Sequence, residues 1–345
     1  MLKVYTIDNA EQWDGVVRSF QEYDVYWLSG YVKAFKLHGD GEPMLFYYKD
    51  DDIRGINVVM RRDVAKDENF VGRISEGRYY DFSTPYGYGG WLIEGVNSTN
   101  LFTEYKDWLL ENHIICEFVR FHPVIGNHKF SDEFYDVIEL GKVVHMELGS
   151  KEDIWSNFTS KNRNVIRKAM KNDIKIYNGR FPEIFMKFRE IYDLTMEKDR
   201  AEDYYFFSSD FYESILHDLS ENAQVFWAEK DGKVIAASIM LMANCRMNYH
   251  LSGSLKEYSM FAPTNLLLYK AAVWGAENNF KTLYLGGGVG SGEDSLFKFK
   301  RAFFRGDLRR FYIGKQIYDN DMYNELVGIR RKVESNYFPE YRAKY

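Results

Sequence analysis

Hairpin, helix and strand follow one another twice along these 345 residues, and that order leaves few folds open. In the first half, Met44–Lys49 and Ile53–Met60 read as strands around the turn Asp50-Asp51-Asp52. Leu101, Tyr105, Trp108 and Leu109 then mark one face of a helix, and Ile114–Phe121 follows as an apolar strand. In the second half, Gln224–Glu229 and Lys233–Met242 flank Asp231-Gly232, a dipeptide suited to the positive φ angles of a tight hairpin turn. Cys245–Leu251 extends that meander as a third strand. Pro263 opens a helix with Leu266, Tyr269 and Val273 on its apolar face. Asn278-Asn279 ends it, and Thr282–Leu285 is the next strand. Elements in this order bury their apolar faces by laying helices on mixed sheets. The expected class is therefore α/β, with two similar units, although no residue-level repeat is visible.

Between the two units the chain reads as helical. Ser150 is placed to cap a helix with Asp153 at the N3 position, a variant of the capping box. The stretch Ile154–Met170 follows, with Lys161, Arg163, Arg167, Lys168 and Lys171 in and just after it. A second helix, Pro182 to Arg200, is expected to bury Phe185, Phe188 and Ile191. A third, Asp210 to Glu221, should bury Phe211, Ile215 and Leu219. The tail Asp319–Ser335 also reads as helical and is expected to pack on the first unit.

Residues 282–306, TLYLGGGVGSGEDSLFKFKRAFFRG, concentrate the chemistry. A short strand runs into a loop with five glycines and then a helix bearing Lys298, Lys300, Arg301 and Arg305. Glycines let backbone N–H groups converge, and a helix N-terminus adds partial positive charge, which suits an anionic or acyl-bearing ligand. No Gly-Lys-Ser/Thr follows, so this is not a nucleotide P-loop. Ser291 stands where a dinucleotide fingerprint has its third glycine. A tight strand-to-helix connection would leave the same trace.

Composition is that of a globular chain, 46% hydrophobic and 28% charged, with a length that suits two domains. The 17% aromatic share fits either an aromatic core or a Tyr-lined groove. The net charge of −6 is uneven: residues 1–150 hold 15 Lys/Arg against 25 Asp/Glu, whereas the rest hold 30 against 26. The positive second half could face an anionic donor. Cys116 and Cys245 lie in apolar, strand-like segments, which implies buried free thiols in a reducing compartment. No Cys/His spacing resembles a metal site. The N-terminus lacks an apolar signal core and no apolar run reaches membrane-spanning length, so a cytoplasmic protein is expected, with peripheral membrane association left open.

Four segments together resemble the Fem-type aminoacyltransferases, which build peptidoglycan interpeptide bridges. They are YYDFSTPYGYGGW at 79–91, SKNRNVIRKAMKNDIKI at 160–176, IYDLTMEKDRAEDYYFF at 191–207, and MNYHLSGS at 247–254 with LGGGVGSGEDSLFKFKRAFF at 285–304. The resemblance covers nearly the whole chain. It implies two acetyltransferase-like (GNAT) domains in tandem, 1–148 with 315–345 and 149–314. Some family members carry a long antiparallel helical arm; no heptad run here is long enough for one.

The same resemblance implies roles residue by residue. Lys300, after Phe299, matches the family's Phe-Lys pair near the acyl-transfer centre, where the lysine positions the donor and stabilises the developing oxyanion. Arg200 and Tyr204 match a pair contacting a phosphorylated acceptor; an i, i+4 spacing would put both on one helix face, and an arginine fork suits phosphate. Tyr249 matches another acceptor-contacting tyrosine. Lys36 and Lys33 both fall where the family has a phosphate-binding lysine, and the sequence does not choose between them. Tyr86 either stacks on a sugar or base or packs its own loop. Gly286, Gly287 and Gly288 would form the donor loop.

The implied reaction moves an aminoacyl group from an activated ester to an amine of a peptidoglycan precursor or another phosphorylated sugar or peptide. No general base stands out: Asp81, Glu293 and Asp294 are carboxylates near glycine-rich segments and read equally as turn or capping residues. Proximity and oxyanion stabilisation would then carry most of the acceleration. No tightly bound cofactor is implied, and no DNA partner. The donor is aminoacyl-tRNA, in keeping with the basic stretches 161–175 and 298–310, or acyl-CoA in the alternative of an N-acyltransferase acting on an amino sugar or amino acid. Phe261-Ala262-Pro263-Thr264-Asn265 has no glycine where coenzyme A enzymes of this fold cradle pyrophosphate, and Pro263 has no N–H to offer. A non-catalytic binding protein of the same fold is the third reading.

Overall fold

The computed structural model describes residues 1–96, 98–330 and 336–343. Contacts divide the chain into two units, Met1–Leu140 with Phe311–Tyr345, and Gly141–Arg310. The changeovers fall inside two strands, at 140/141 and 310/311, where the resemblance implies 148/149 and 314/315.

The first unit begins with β1 (Leu2–Thr6), α1 (Ala10–Arg18), α2 (Ser29–His38), β2 (Glu42–Lys49) and β3 (Ile53–Asp63). The β2–β3 hairpin is antiparallel with Tyr47 opposite Ile56. Its turn closes because the Asp50 carboxylate accepts the amides of Asp52 and Ile53, each at 2.9 Å. Then come β4 (Tyr80–Ser83), β5 (Leu92–Gly95), α3 (Thr99–Glu111) and β6 (Ile114–Arg120). Leu101, Tyr105 and Leu109 of α3 are buried, and the Tyr105 ring lies 5.0 Å from both Phe46 and Trp91. The largest fully buried side chains include Trp13, Trp27, Trp91 and Tyr31, so much of the aromatic share is core.

The second unit starts within β7 (Asp136–Glu147) and continues with α4 (Lys151–Asn157), α5 (Ser160–Lys171), β8 (Lys175–Gly179), α6 (Pro182–Asp199) and α7 (Ser209–Asp218). The basic stretch is therefore two helices. Phe158 and Thr159 are extended, and the Thr159 hydroxyl accepts the Asn162 amide to start α5 afresh. Ser150 and Asp153 form the full capping box on α4. Next follow β9 (Ala223–Lys230), β10 (Lys233–Ala243), β11 (Arg246–Ser254), α8 (Pro263–Glu277), β12 (Thr282–Gly286) and α9 (Ser295–Arg301). Asp231 and Gly232 both take positive φ, 52° and 77°, as a type I′ turn requires. Strand order in this unit is β7-β12-β11-β10-β9-β8. The helix α8 buries Leu266, Leu267, Leu268 and Tyr269 in the core of this unit.

One expectation fails at the second hairpin. Cys245 is exposed, because it sits with Asn244 in the positive-φ turn joining β10 to β11, and the third strand begins at Arg246. Cys116, on β6, is the buried thiol.

The chain returns to the first unit along β13 (Arg309–Ile317) and α10 (Asn320–Arg330). There the strand order is β1-β2-β3-β4-β6-β13, with β5 added on β3. Tyr323 and Leu326 of α10 pack with Ile115 and Cys116, as the tail was expected to do. Residues 331–335 of that tail lie outside the described residues.

Candidate functional site

In the second unit, β11 and β12 run parallel for three residue pairs, Arg246–Asn248 against Thr282–Tyr284. Both strands continue beyond that point, but with other partners: β11 stays on β10 to Ser254, and β12 stays on β7 to Gly286. The two strands therefore part after Asn248 and Tyr284. A bulge helps: Ile239 faces Leu251 and Met240 faces Tyr249, which leaves His250 as the extra residue that bends β11. Where a ladder stops inside a sheet, backbone donors and acceptors become available to a ligand.

The glycine loop lies at the end of β12. Gly286 takes φ 84°, a conformation that favours glycine, and reverses the chain. Gly288 is needed for space, since a Cβ there would collide with the Gly292 carbonyl and the Asp294 carboxylate. Asp294 caps α9 by accepting the Phe297 amide at 2.8 Å and also takes the Val289 amide at 3.3 Å, which folds the loop back on its own helix. From α9, the Lys300 ammonium donates to the Gly287 carbonyl at 2.7 Å. A Cβ on Gly286 would lie 3.3 Å from the same nitrogen. Burial pushes the Lys300 ammonium down to about 8, and the nearby Asp294 carboxylate offsets part of that.

Phe299 is half-buried, with its ring 5.4 Å from Phe303, and packs against the core of the unit. Tyr249 is half-buried on β11 beside the hydroxyl pair Ser238–Ser252, 2.8 Å apart; burial raises its hydroxyl pKa. His250 is held neutral, pushed down to about 3 by burial. A bulge leaves no periodic sign in the sequence, and a break in the alternation of MNYHLSGS is the available hint of His250.

Arg200 and Tyr204 do not share a helix face. The helix α6 ends at Asp199, Arg200 is its C-cap with φ 52°, and Tyr204 lies in a separate 3-10 turn, Asp203–Tyr205. The chain reverses at Arg200, so the i, i+4 geometry that relied on a continuing helix is lost. Arg200 is exposed and Tyr204 half-buried.

Lys36 and Tyr86 belong to the first unit. Lys36 pairs with Glu42 at 2.6 Å, and Lys33 is exposed on the same helix. Tyr86 stacks on Phe35 at 5.5 Å, and its carbonyl accepts the Tyr31 hydroxyl. The three carboxylates considered as bases have structural partners. Glu293 pairs with Lys142 at 2.7 Å, Asp294 caps α9, and Asp81 is fully buried between Arg62 and Arg342, each at 2.6 Å.

At the start of α8, Ala262 takes φ 52° and Pro263 is the first helical residue. The Asn265 amide donates to the Ala262 carbonyl at 3.2 Å, and its side chain donates to Asn162 at 2.9 Å. These groups are engaged, and a proline adds no donor. Among the described residues, no helix is long and apolar enough to cross a membrane, and no group of His, Cys, Asp and Glu could hold a metal ion.

The second unit is similar to a GNAT domain. Residues 160–301, which hold the β11–β12 parting and Lys300, match the family described as acetyltransferase (GNAT) domain. More narrowly, the chain is similar to the UDP-N-acetylmuramoylpentapeptide-lysine N(6)-alanyltransferase of Weissella viridescens, with 24% identity over 177 residues. That match covers 49% of this chain and 50% of the relative, so it spans about half the length of each. The crystal structure of FemX superposes with a TM-score of 0.67 at 13% identity, covering 94% of this chain and 99% of that one. A conserved protein of unknown function from Bacteroides thetaiotaomicron gives 0.57 at 12% identity, covering 91% and 99%. The fold is thus a mixed α/β type with a GNAT-like second unit, shared along nearly the whole chain with FemX, and the resemblance to the Fem family is supported by the sequence match and by the fold. Among the described residues no helix exceeds the 18 residues of α6, so no helical arm is present in them.

Proposed function

We propose that the protein is an aminoacyltransferase that moves an aminoacyl group from the ester of a charged tRNA onto an amine of a peptidoglycan precursor. The observation that carries this reading is Lys300, an ammonium drawn out of water and held 2.7 Å from the Gly287 carbonyl at the head of the β11–β12 parting. A partly desolvated cation has a stronger effect on developing negative charge than one in water.

In the proposed reaction the neutral acceptor nitrogen attacks the ester carbonyl carbon. The C–N bond forms, negative charge gathers on the carbonyl oxygen beside Lys300, and the ester C–O bond then breaks. The amine's proton leaves and the released ribose hydroxyl gains one. Phe299 and Tyr249 would shape the acyl site, the loop Gly286–Gly288 would admit the donor carbonyl, and Arg200 and Tyr204 would meet acceptor phosphate. We assign Lys36 and Tyr86 to acceptor binding on the first unit and take the two compact units as its two domains. The similarity to the Weissella viridescens enzyme supports a lysine-bearing muramoyl peptide as acceptor. The engaged, proline-led start of α8 disfavours coenzyme A as donor. A precursor and donor of these kinds place the protein in the cytoplasm.

The test is transfer of radiolabelled alanine from charged tRNA to UDP-N-acetylmuramoylpentapeptide. Label should appear in the peptide, and ribonuclease treatment of the donor should abolish it. Ribonuclease-resistant transfer, or transfer from acetyl-CoA alone, would reject the reading.

A further inference from the structure

The helix α5 carries five cations and no carboxylate. Lys161, Lys168 and Lys171 are exposed and share one face, opposite the buried Asn162, Ile166 and Ala169. Among the described residues, none of these three lysines has a carboxylate within ion-pair distance. The helix α6 differs: its cations pair as Lys187–Glu190, Arg189–Asp193 and Lys198–Asp199. Lys168 and Lys171 lie in the last turn, where they suit the helix dipole, but three lysines without carboxylate partners on one face also leave a positive field that attracts a polyanion.

A second feature lies in the same layer, since α4 and α5 both pack on α8. Beside α8 is a depression of about 240 Å³ that is bordered by the partly exposed Trp274 and by Lys151, Lys270 and Glu277, with Phe226 and Tyr269 buried beneath it. Aromatic contacts lead to it from the basic helix. The Arg167 guanidinium stands 5.1 Å from the Trp155 ring centroid, and Trp155 lies 5.1 Å from Tyr269. Phosphate-binding cations beside aromatic side chains are how single-stranded nucleic acid is held without reading its sequence.

We propose that this face of the second unit docks RNA, with phosphates on Lys161, Lys168 and Lys171 and an unstacked base of a single-stranded end in the depression against Trp274. This rests on the reading that the donor is a charged tRNA, and it states where the RNA body lies. Anionic lipid would also answer the lysines, but a planar bilayer has nothing to fill a concave recess.

The experiment is fluorescence anisotropy of labelled, uncharged tRNA titrated with the whole chain between 50 and 200 mM salt. Wild type should bind with strong salt dependence. Lys161→Ala/Lys168→Ala/Lys171→Ala should weaken binding at least about tenfold and reduce the salt slope by about 2–3, as expected for three lost phosphate contacts. Lys151→Glu/Lys270→Glu should weaken it independently, while all these exposed changes leave the melting temperature unchanged. Absence of wild-type binding, or equal affinity and slope in the triple variant, overturns the proposal. So does binding to phosphatidylglycerol vesicles in place of tRNA. The two readings separate cleanly: transfer activity insensitive to the triple variant defeats this surface alone, whereas stripe-dependent tRNA binding without any transfer defeats the transferase reading alone.

Discussion

Lys300 and Gly287 are 13 residues apart, yet the ammonium of one donates to the carbonyl of the other at 2.7 Å, so α9 holds the loop that ends β12. The bond places a cation where β11 and β12 have already parted. It also fixes the loop by a charged group whose state depends on pH.

Replacing Lys300 with Ala should lower kcat by about 100- to 1000-fold, the range for losing one well-aimed oxyanion donor. A loss under about threefold at saturating substrate would remove Lys300 from the chemistry. Burial lowers this lysine to about 8, against partial opposition from Asp294. The charged form is therefore present below about pH 8 and is lost as pH rises through that value, so activity that needs the ammonium should fall there. Lys300→Arg should remove that limb from the pH–rate profile, since arginine keeps its proton. In stability the sign is reversed. The folded value lies below that of a free lysine, so the unfolded chain binds more protons and this group's contribution rises between about pH 8 and 10.4.

The loop itself should be sensitive to two small changes. Asp294→Ala removes the cap of α9 and should cost about 1 kcal/mol in urea unfolding, with Asp294→Asn retaining most of it. Gly288→Ala introduces a Cβ that meets both the Gly292 carbonyl and the Asp294 carboxylate. Because both changes act on one clasp, the double variant should be less destabilised than the sum of the singles. Additive losses would show that Gly288 and Asp294 act apart.

Asp81→Asn should be the most damaging isosteric change in the first unit. Its carboxylate is buried and accepts from Arg62, Arg342 and the Tyr341 hydroxyl. Burial alone would raise its pKa, but Arg342 and Arg62 outweigh that and hold it below the ordinary carboxylate range. Removing one partner from a buried ionic cluster costs about 3–5 kcal/mol. A depressed folded pKa contributes stability above the unfolded value of about 3.9, lost as pH falls through the folded one. Melting curves should show a large gap between wild type and variant at pH 7 that narrows below about pH 4. A gap that stays constant with pH would mean that packing, not charge, is lost.

Most elements were legible because their signals are local. Asp231-Gly232 marks its turn through two positive φ angles, and Ser150 with Asp153 marks a helix start through two reciprocal hydrogen bonds. The helix stop at Arg200 is not legible, for a related reason. The sequence through Asp199 continues as helix by spacing, and nothing beside it announces that a non-glycine residue will take φ 52° and stop the helix. The exposure of Cys245 is not legible because an apolar run continues across a turn whose residues, Asn244 and Cys245, give a weak signal.

The site divides along the same line. The chain alone determined the glycine loop, the helix after it and the basic residues around both, since each depends on neighbours within a few positions. Tertiary structure decided that the β11–β12 ladder stops at Asn248 and Tyr284, that Lys300 turns back onto Gly287, and that Asp81 is enclosed by Arg62 and Arg342. These depend on strand partners and on charges brought together from distant parts of the chain, and desolvation acts on a group only after the rest of the protein has closed around it.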